Sequence, residues 1–272
     1  MQLSEARQDR LEVGTRRLTP IRASVVGYLN ARPLWDALAE DDAFDVRTGV
    51  PSEVTSRLAA GDADVALVSS IELLRDGVRR LSGACIASDG PVTSVLVALA
   101  TAPGRVRRLA VDPSSRTSQR LAEIILRGYG ADPEVEEHDP TTALDAGFDA
   151  ALVIGDPAFA FAKKGYPVLD LASEWGKTTG LPFVFGVWAA PAEKSPEEVG
   201  ILEDALDRAR DRGLERIPEM ARRAAASGLL SEAEARVYLT RRIRYRFGER
   251  EAAGLRAYLD AVRALPGEIR RR

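Results

Sequence analysis

The 272-residue chain has one histidine, His138, and one cysteine, Cys85, and only 6% of it is aromatic. Each scarcity excludes a chemistry. A disulfide framework needs more than one cysteine, a structural zinc site draws on about four Cys or His ligands, and a Cys-His nucleophile would have to be Cys85 with His138. Cys85 lies among Ala84, Ile86 and Ala87, the setting of a core thiol, and His138 closes an expected strand as a surface or structural residue. Charge of one sign is lacking too. The 38 Lys and Arg face 41 Asp and Glu, a net charge of -3, which gives no electrostatic reason for a nucleic-acid or anionic-membrane partner. No run of about 18 apolar residues occurs that would span a bilayer. The N-terminus, MQLSEARQDRLEVGTRRLTP, mixes charge signs without the apolar core of a secretory signal. The expectation is a soluble, cytoplasmic chain whose partner is a small molecule, with residues 1–20 a loosely held extension.

What is present is alternation. From Ile21 short apolar runs alternate with amphipathic stretches, the pattern of βα units around a mainly parallel sheet. The first set reads strand Ala23–Gly27, helix Pro33–Glu40, strand Phe44–Thr48, helix Ser52–Ala60, strand Asp64–Val68. The second reads strand Leu109–Asp112, helix Thr117–Gly128, strand Glu134–Glu137, helix Thr141–Ala146, strand Asp149–Ile154. Val25-Val26 falls on Ala110-Val111 and Asp64–Val68 on Asp149–Val153, both at an offset of 85 residues. Such internal similarity predicts two similar lobes.

Between and after the two sets lie strand-like runs, Val95–Leu99 and Leu181–Trp188, suited to a double crossover. Stretches rich in Ala, Leu, Arg and Glu follow at helical spacing (Pro196–Arg212, Leu214–Ser227, Ser231–Phe247, Glu249–Leu265), and Ser231 with Glu234 forms a capping box. The expected fold is α/β: a two-lobed, periplasmic-binding-protein-like (type II) arrangement with a double strand crossover and a helical C-terminal tail. Residues 21–98 and 190–272 would form the first lobe and 99–189 the second. Such a cleft receives ligands at carboxyl ends of strands and amino ends of helices, without choosing between transport and chemistry.

The strongest anion signal is Asp112-Pro113-Ser114-Ser115-Arg116-Thr117-Ser118, at a strand-to-helix turn. Free N–H groups at a helix start favour an anion, hydroxyls add donors, and Arg116 can fork onto a carboxylate. One hydroxyl would suffice as a cap, so the surplus favours anion binding. In the corresponding first turn, Gly27-Tyr28-Leu29-Asn30-Ala31-Arg32-Pro33, the Asn30 amide either caps the helix or orients a ligand hydroxyl. Further cleft candidates are Ser69 and Ser70 after the third strand, Ser88 to Ser94 with Gly90 and Thr93, and Thr179-Gly180-Leu181-Pro182-Phe183. Asp156 either forms an Asx turn or faces the cleft.

These turns resemble a known family. Tyr28-Leu29-Asn30-Ala31-x-Pro33-Leu34, Pro51-Ser52-Glu53, Gly61-Asp62-x-Asp64-Val65-Ala66-Leu67-Val68-x-Ser70, Ser88-x-Gly90-x-Val92-x-Ser94-Val95, Asp112-x-Ser114-Ser115-Arg116-Thr117-Ser118, Ile154-Gly155-Asp156 and Glu174-Trp175-x-x-x-Thr179-Gly180-Leu181-Pro182-Phe183-Val184-Phe185 are similar to those of the chorismate dehydratases of menaquinone biosynthesis, in family order. The resemblance implies a hydro-lyase that converts chorismate to 3-[(1-carboxyvinyl)oxy]benzoate in the futalosine route, with no cofactor or metal. It also implies roles: Ser114 to Ser118 for one carboxylate; Ser88 to Ser94 and Ser69-Ser70 for the second carboxylate and the hydroxyl. Asn30, Ser94 and Asp156 are the catalytic candidates, and Tyr28, Gly90, Thr93, Thr179, Gly180 and Phe183 complete the binding set. The base is either Asp156 or the substrate's own enolpyruvyl carboxylate, and the second is preferred because these turns offer few carboxylates. The alternatives are a non-catalytic binding protein for a small anion and the related dihydroxynaphthoate-forming enzyme, whose first turn differs.

Overall fold

The computed structural model describes residues 19–266; the expected extension, 1–20, falls outside them except for its last two positions. The chain opens with strand β1 (Ile21–Val26), and a short turn at Leu29–Ala31 leads into helix α1 (Arg32–Trp35). Then come β2 (Phe44–Gly49), α2 (Pro51–Ala59), β3 (Val65–Ser69) and β4 (Val78–Ser88). The chain crosses to β5 (Val95–Leu99), β6 (Arg108–Val111), α3 (Arg116–Gly128), β7 (Glu134–Glu137), β8 (Ala150–Ile154), α4 (Pro157–Ala162), β9 (Val168–Asp170) and α5 (Leu171–Thr179). It returns through β10 (Phe183–Pro191) to α6 (Pro196–Glu215), α7 (Ile217–Ala226), α8 (Glu232–Val237), β11 (Arg244–Arg246) and α9 (Glu249–Ala264).

The strands form two sheets, ordered β11-β4-β10-β3-β1-β2 and β7-β6-β8-β5-β9. The chain crosses between them at 89–94 and again at 180–182, which is the expected double crossover. Strand β5 lies in the second sheet and β10 in the first, whereas the sequence division assigned 95–98 to the first lobe and 183–189 to the second. The internal similarity is structural. β1 pairs in parallel with β2 and β3, and β6 pairs in parallel with β7 and β8. Asp64 accepts the Arg22 N–H at 2.9 Å, and Asp149 accepts the Arg107 N–H at 2.9 Å and the Arg108 N–H at 3.0 Å. Each repeat thus uses the aspartate before its third strand to anchor the first.

Several expectations need correction. The helix predicted over Pro33–Glu40 stops at Trp35, where α6 crosses so closely that any side chain at Gly213 would overlap the Pro33 carbonyl. The helix predicted over Thr141–Ala146 is a run of turns. Asp139 takes the Thr141 N–H, and Gly147, at φ 84°, ends the segment. Strand β4 escaped the sequence reading because Arg79, Arg80 and Gly83 interrupt its apolar pattern. The helix predicted over Ser231–Phe247 breaks after Val237 into a π-helical turn, Tyr238–Arg242, and β11, which pairs with the edge of β4.

Candidate active site between the two sheets

A cleft with about 570 Å³ of empty volume opens between the lobes. Its walls are strand ends and the loops that follow them. Val26, Tyr28, Asn30, Leu67, Val68, Ser69, Ile86, Phe185 and Gly186 line it from the first lobe, and Val95, Ser115, Thr117, Ser118, Ile154 and Gly155 from the second. Among these lining residues there is no carboxylate, imidazole, amine or guanidinium, and Tyr28 carries the one titratable side chain. Burial, reinforced by Asp112 and Asp156, pushes its phenol up.

Two buried polar atoms facing this space lack any partner: Asn30 Oδ1 and Ser115 Oγ, one from each lobe. Buried polar groups are nearly always paired, so an unpaired acceptor and an unpaired hydroxyl in one cleft mark where a ligand's polar atoms belong. The first turn of α3, with its free N–H groups, starts beside Ser115.

The lobes touch at this level. The Leu29 N–H donates to Asp156 Oδ1 at 3.1 Å. The Tyr28 ring covers Gly155, where a Cβ would sit 2.7 Å from the ring at a φ of 68°. Two groups expected to hold anions instead join the lobes. Thr117 Oγ1 accepts the Ile71 N–H at 3.0 Å, and Arg116 pairs with the buried Glu72 at 2.9 Å, so Arg116 is absent from the cleft lining. Asp156 also lies off the lining. Burial raises its pKa, opposed by the Leu29 N–H and by Arg32.

Other expected site residues are engaged in building the turns. Ser70 Oγ donates to the Val184 carbonyl at 2.7 Å and Ser88 Oγ to that of Gly90 at 2.9 Å. The Ser114 N–H closes an Asx turn on Asp112. Thr93, at φ 64°, has its N–H held by Asp170 at 2.7 Å. It lines a separate hollow with Phe159, Lys163 and Tyr238. Thr179 Oγ1 bonds the Trp175 carbonyl and Gly180 ends α5 in the left-handed region. Phe183 is wholly buried against Trp175 and Tyr258. Ser94 is buried, its Oγ accepting from the Tyr238 hydroxyl at 2.7 Å.

The apolar wall and Tyr238 escaped the sequence reading. Phe185 reaches the cleft because β10 carries a bulge between Val184 and Gly186, and bulges re-aim side chains beside functional sites. The Phe-Val-Phe alternation marks a strand but carries no sign of that extra residue.

Comparison with known proteins supplies the lineage. The family model described as menaquinone biosynthesis matches residues 21–264. The chain belongs to this menaquinone-biosynthesis family. Among the family's curated relatives, the chorismate dehydratase of Thermus thermophilus is 32% identical, over 86% of this chain and 92% of its own. That of Campylobacter jejuni is 26% identical, over 88% and 92%. The fold has solved counterparts. Protein AF1704 of Archaeoglobus fulgidus matches with a TM-score of 0.75 at 20% identity, covering 90% of this chain and 97% of its own. A Candida albicans protein described as having the generic periplasmic binding protein fold matches with a TM-score of 0.62 at 13% identity, covering 92% of each. The menaquinone-biosynthesis chain therefore has the two-lobed, periplasmic-binding-protein-like fold that its repeats predicted.

Proposed function

We propose that the chain is a chorismate dehydratase, a hydro-lyase that removes water from chorismate to give 3-[(1-carboxyvinyl)oxy]benzoate, in a cytoplasmic setting. The observation that carries this reading is the pair of unpartnered atoms, Asn30 Oδ1 and Ser115 Oγ, facing one apolar cleft from opposite lobes. The relatives named chorismate dehydratase, matched over most of both chains, give the substrate.

Chorismate carries a ring carboxylate, an enolpyruvyl ether with a second carboxylate, and a ring hydroxyl. In the elimination, the C–H bond at the ether-bearing carbon breaks and its electron pair becomes a ring double bond. The neighbouring hydroxyl leaves with the abstracted proton as water, and the ring becomes aromatic. The thermodynamic drive belongs to the substrate, so the protein's task is to hold one conformation and to match the polar atoms that move. In this reading Ser115, Ser118 and the first-turn N–H groups of α3 receive one carboxylate, Ser69 supports the opposite end, and Asn30 meets the hydroxyl. The apolar walls exclude water, which strengthens each of these contacts. The proton goes to the enolpyruvyl carboxylate of the substrate itself, supported by a lining without a basic side chain and by an Asp156 already bonded to Leu29. Positioning and matched donors supply several kcal/mol of barrier lowering without a strong acid.

Incubation with chorismate tests the reading. The expected result is a product lighter by one water with the absorbance of a substituted benzoate. Chorismate recovered unchanged overturns it, and bound but unaltered chorismate assigns the chain to solute binding instead.

A further inference from the structure

Asn30 is the only asparagine of the chain, and one end of its amide is already spoken for. The π-helical turn that interrupts the tail carries Tyr238 into the interior. There the Tyr238 hydroxyl donates to Ser94 Oγ at 2.7 Å and hydrogen-bonds the Asn30 side chain. A phenol has a single proton. With that proton directed at Ser94, the Tyr238 oxygen can only accept from Asn30, and within an amide only the NH2 end donates. The other end, Oδ1, is the unpartnered buried atom at the cleft.

We propose that Tyr238 is a positioning residue that fixes the rotation of the Asn30 amide, so that the cleft presents an acceptor at this point and never a donor. The consequence for specificity rests on the chorismate reading above. The substrate dianion has one hydrogen-bond donor, its ring hydroxyl, because carboxylates and ethers only accept. An oriented Oδ1 therefore selects that hydroxyl and fixes which way round the ring lies. The aromatic product has lost the hydroxyl, so it leaves Oδ1 unanswered and is bound less well than substrate. With the amide reversed, its NH2 would welcome a carboxylate and the site would lose both the orientation and the bias against product. Ser94, Tyr238 and Asn30 come from the crossover, the tail and the first turn, and the Ser94 carbonyl also takes the Gly155 N–H of the second lobe at 2.8 Å. The rotation is thus set by the assembled fold.

Two measurements test this. Selective ¹⁵N labelling at asparagine gives a single side-chain NH2 pair. Tyr238→Phe keeps the ring and its edge contact with Phe159 at 4.9 Å and removes only the oxygen. The NH2 proton shifts are expected to move in the ligand-free Tyr238→Phe protein, and also in Ser94→Ala, where the phenol proton loses its acceptor and turns to Oδ1. Shifts unmoved in both variants overturn the proposal. In the second measurement the ratio of the product's inhibition constant to the substrate's KM is expected to fall about tenfold in Tyr238→Phe, the size of one neutral hydrogen bond. A merely structural role would weaken both ligands alike and leave the ratio in place, which also overturns it. If the wild-type protein leaves chorismate unaltered, the functional reading falls, while the amide shifts still decide the rotation.

Discussion

Asn30 and Asp156 stand in corresponding turns of the two lobes and are wired in opposite ways. The Asp156 carboxylate is committed to the Leu29 N–H, whereas Asn30 Oδ1 is uncommitted. Removing the free acceptor in Asn30→Ala is expected to lower kcat by about 10²- to 10³-fold, as for other positioned transition-state contacts. Asp156→Asn keeps an oxygen for Leu29 and should leave turnover within about one power of ten. A loss of about 10²- to 10⁴-fold there, with substrate still bound, would make Asp156 the general base and end the substrate-assisted scheme. Burial raises the Asp156 pKa above its unfolded value. Its contribution to stability is therefore complete below the unfolded pKa and is lost as pH rises through the folded one. Asp156→Asn should accordingly raise Tm at pH 7, with the gain vanishing near pH 4, about the unfolded value; a gain that persists in acid refutes this. Cys85 is wholly buried beside the Arg244 carbonyl, and burial pushes its thiol up. It should react with a thiol reagent at pH 8 only after unfolding, and fast labelling of the folded protein would contradict that.

At the scale of elements, local preference and tertiary packing compete openly. Helix α6 passes over α1 with Gly213 against the Pro33 carbonyl, and α9 passes over the second crossover with Gly254 against the Pro182 carbonyl. Helix propensity alone predicts that Gly213→Ala gains about 1 kcal/mol. Overpacking against a backbone carbonyl costs about 1 to 3 kcal/mol, so a net loss is expected, read as a lower urea midpoint at unchanged m-value. A raised midpoint would show that the helices can separate at no cost. The same competition explains the elements that sequence alone misread. Ser231 and Glu234 start α8 as their capping box indicates, but the run cannot continue as an α-helix. The chain turns instead to bury Tyr238 against Ser94 and then to pair β11 with β4. In β10, the extra residue at Phe185 likewise answers to strands far away in sequence.

For the whole molecule, the contacts across the cleft act as a latch: Arg116 on Glu72, Ile71 on Thr117, and Tyr258 on the Thr117 carbonyl at 2.9 Å. Glu72 is 2% exposed and shares its carboxylate between Arg116 and Arg75. Arg116→Gln removes one of its two cations while leaving the cleft lining intact. The ligand-free variant is expected to sample more open arrangements, giving a larger radius of gyration in solution scattering, with the difference abolished by saturating ligand. Identical scattering with and without the substitution would show that the pair does not govern closure.

The sequence by itself determined the repeated βα units, the double crossover and the turns from which the cleft is made, because strand periodicity, helix starts and anchoring aspartates are local patterns repeated at a fixed offset. It also determined that Asn30 and the Ser115–Ser118 turn belong to the site. Which polar groups remain free was decided only by the tertiary structure. Arg116, Thr117, Ser70 and Asp156 look as available in sequence as Ser115 and Asn30, yet the first four are bonded by partners 127 or fewer positions away while the last two keep an unpaired atom. A side chain's chemistry is local, but whether its hydrogen bonds are already satisfied depends on every segment that folds against it.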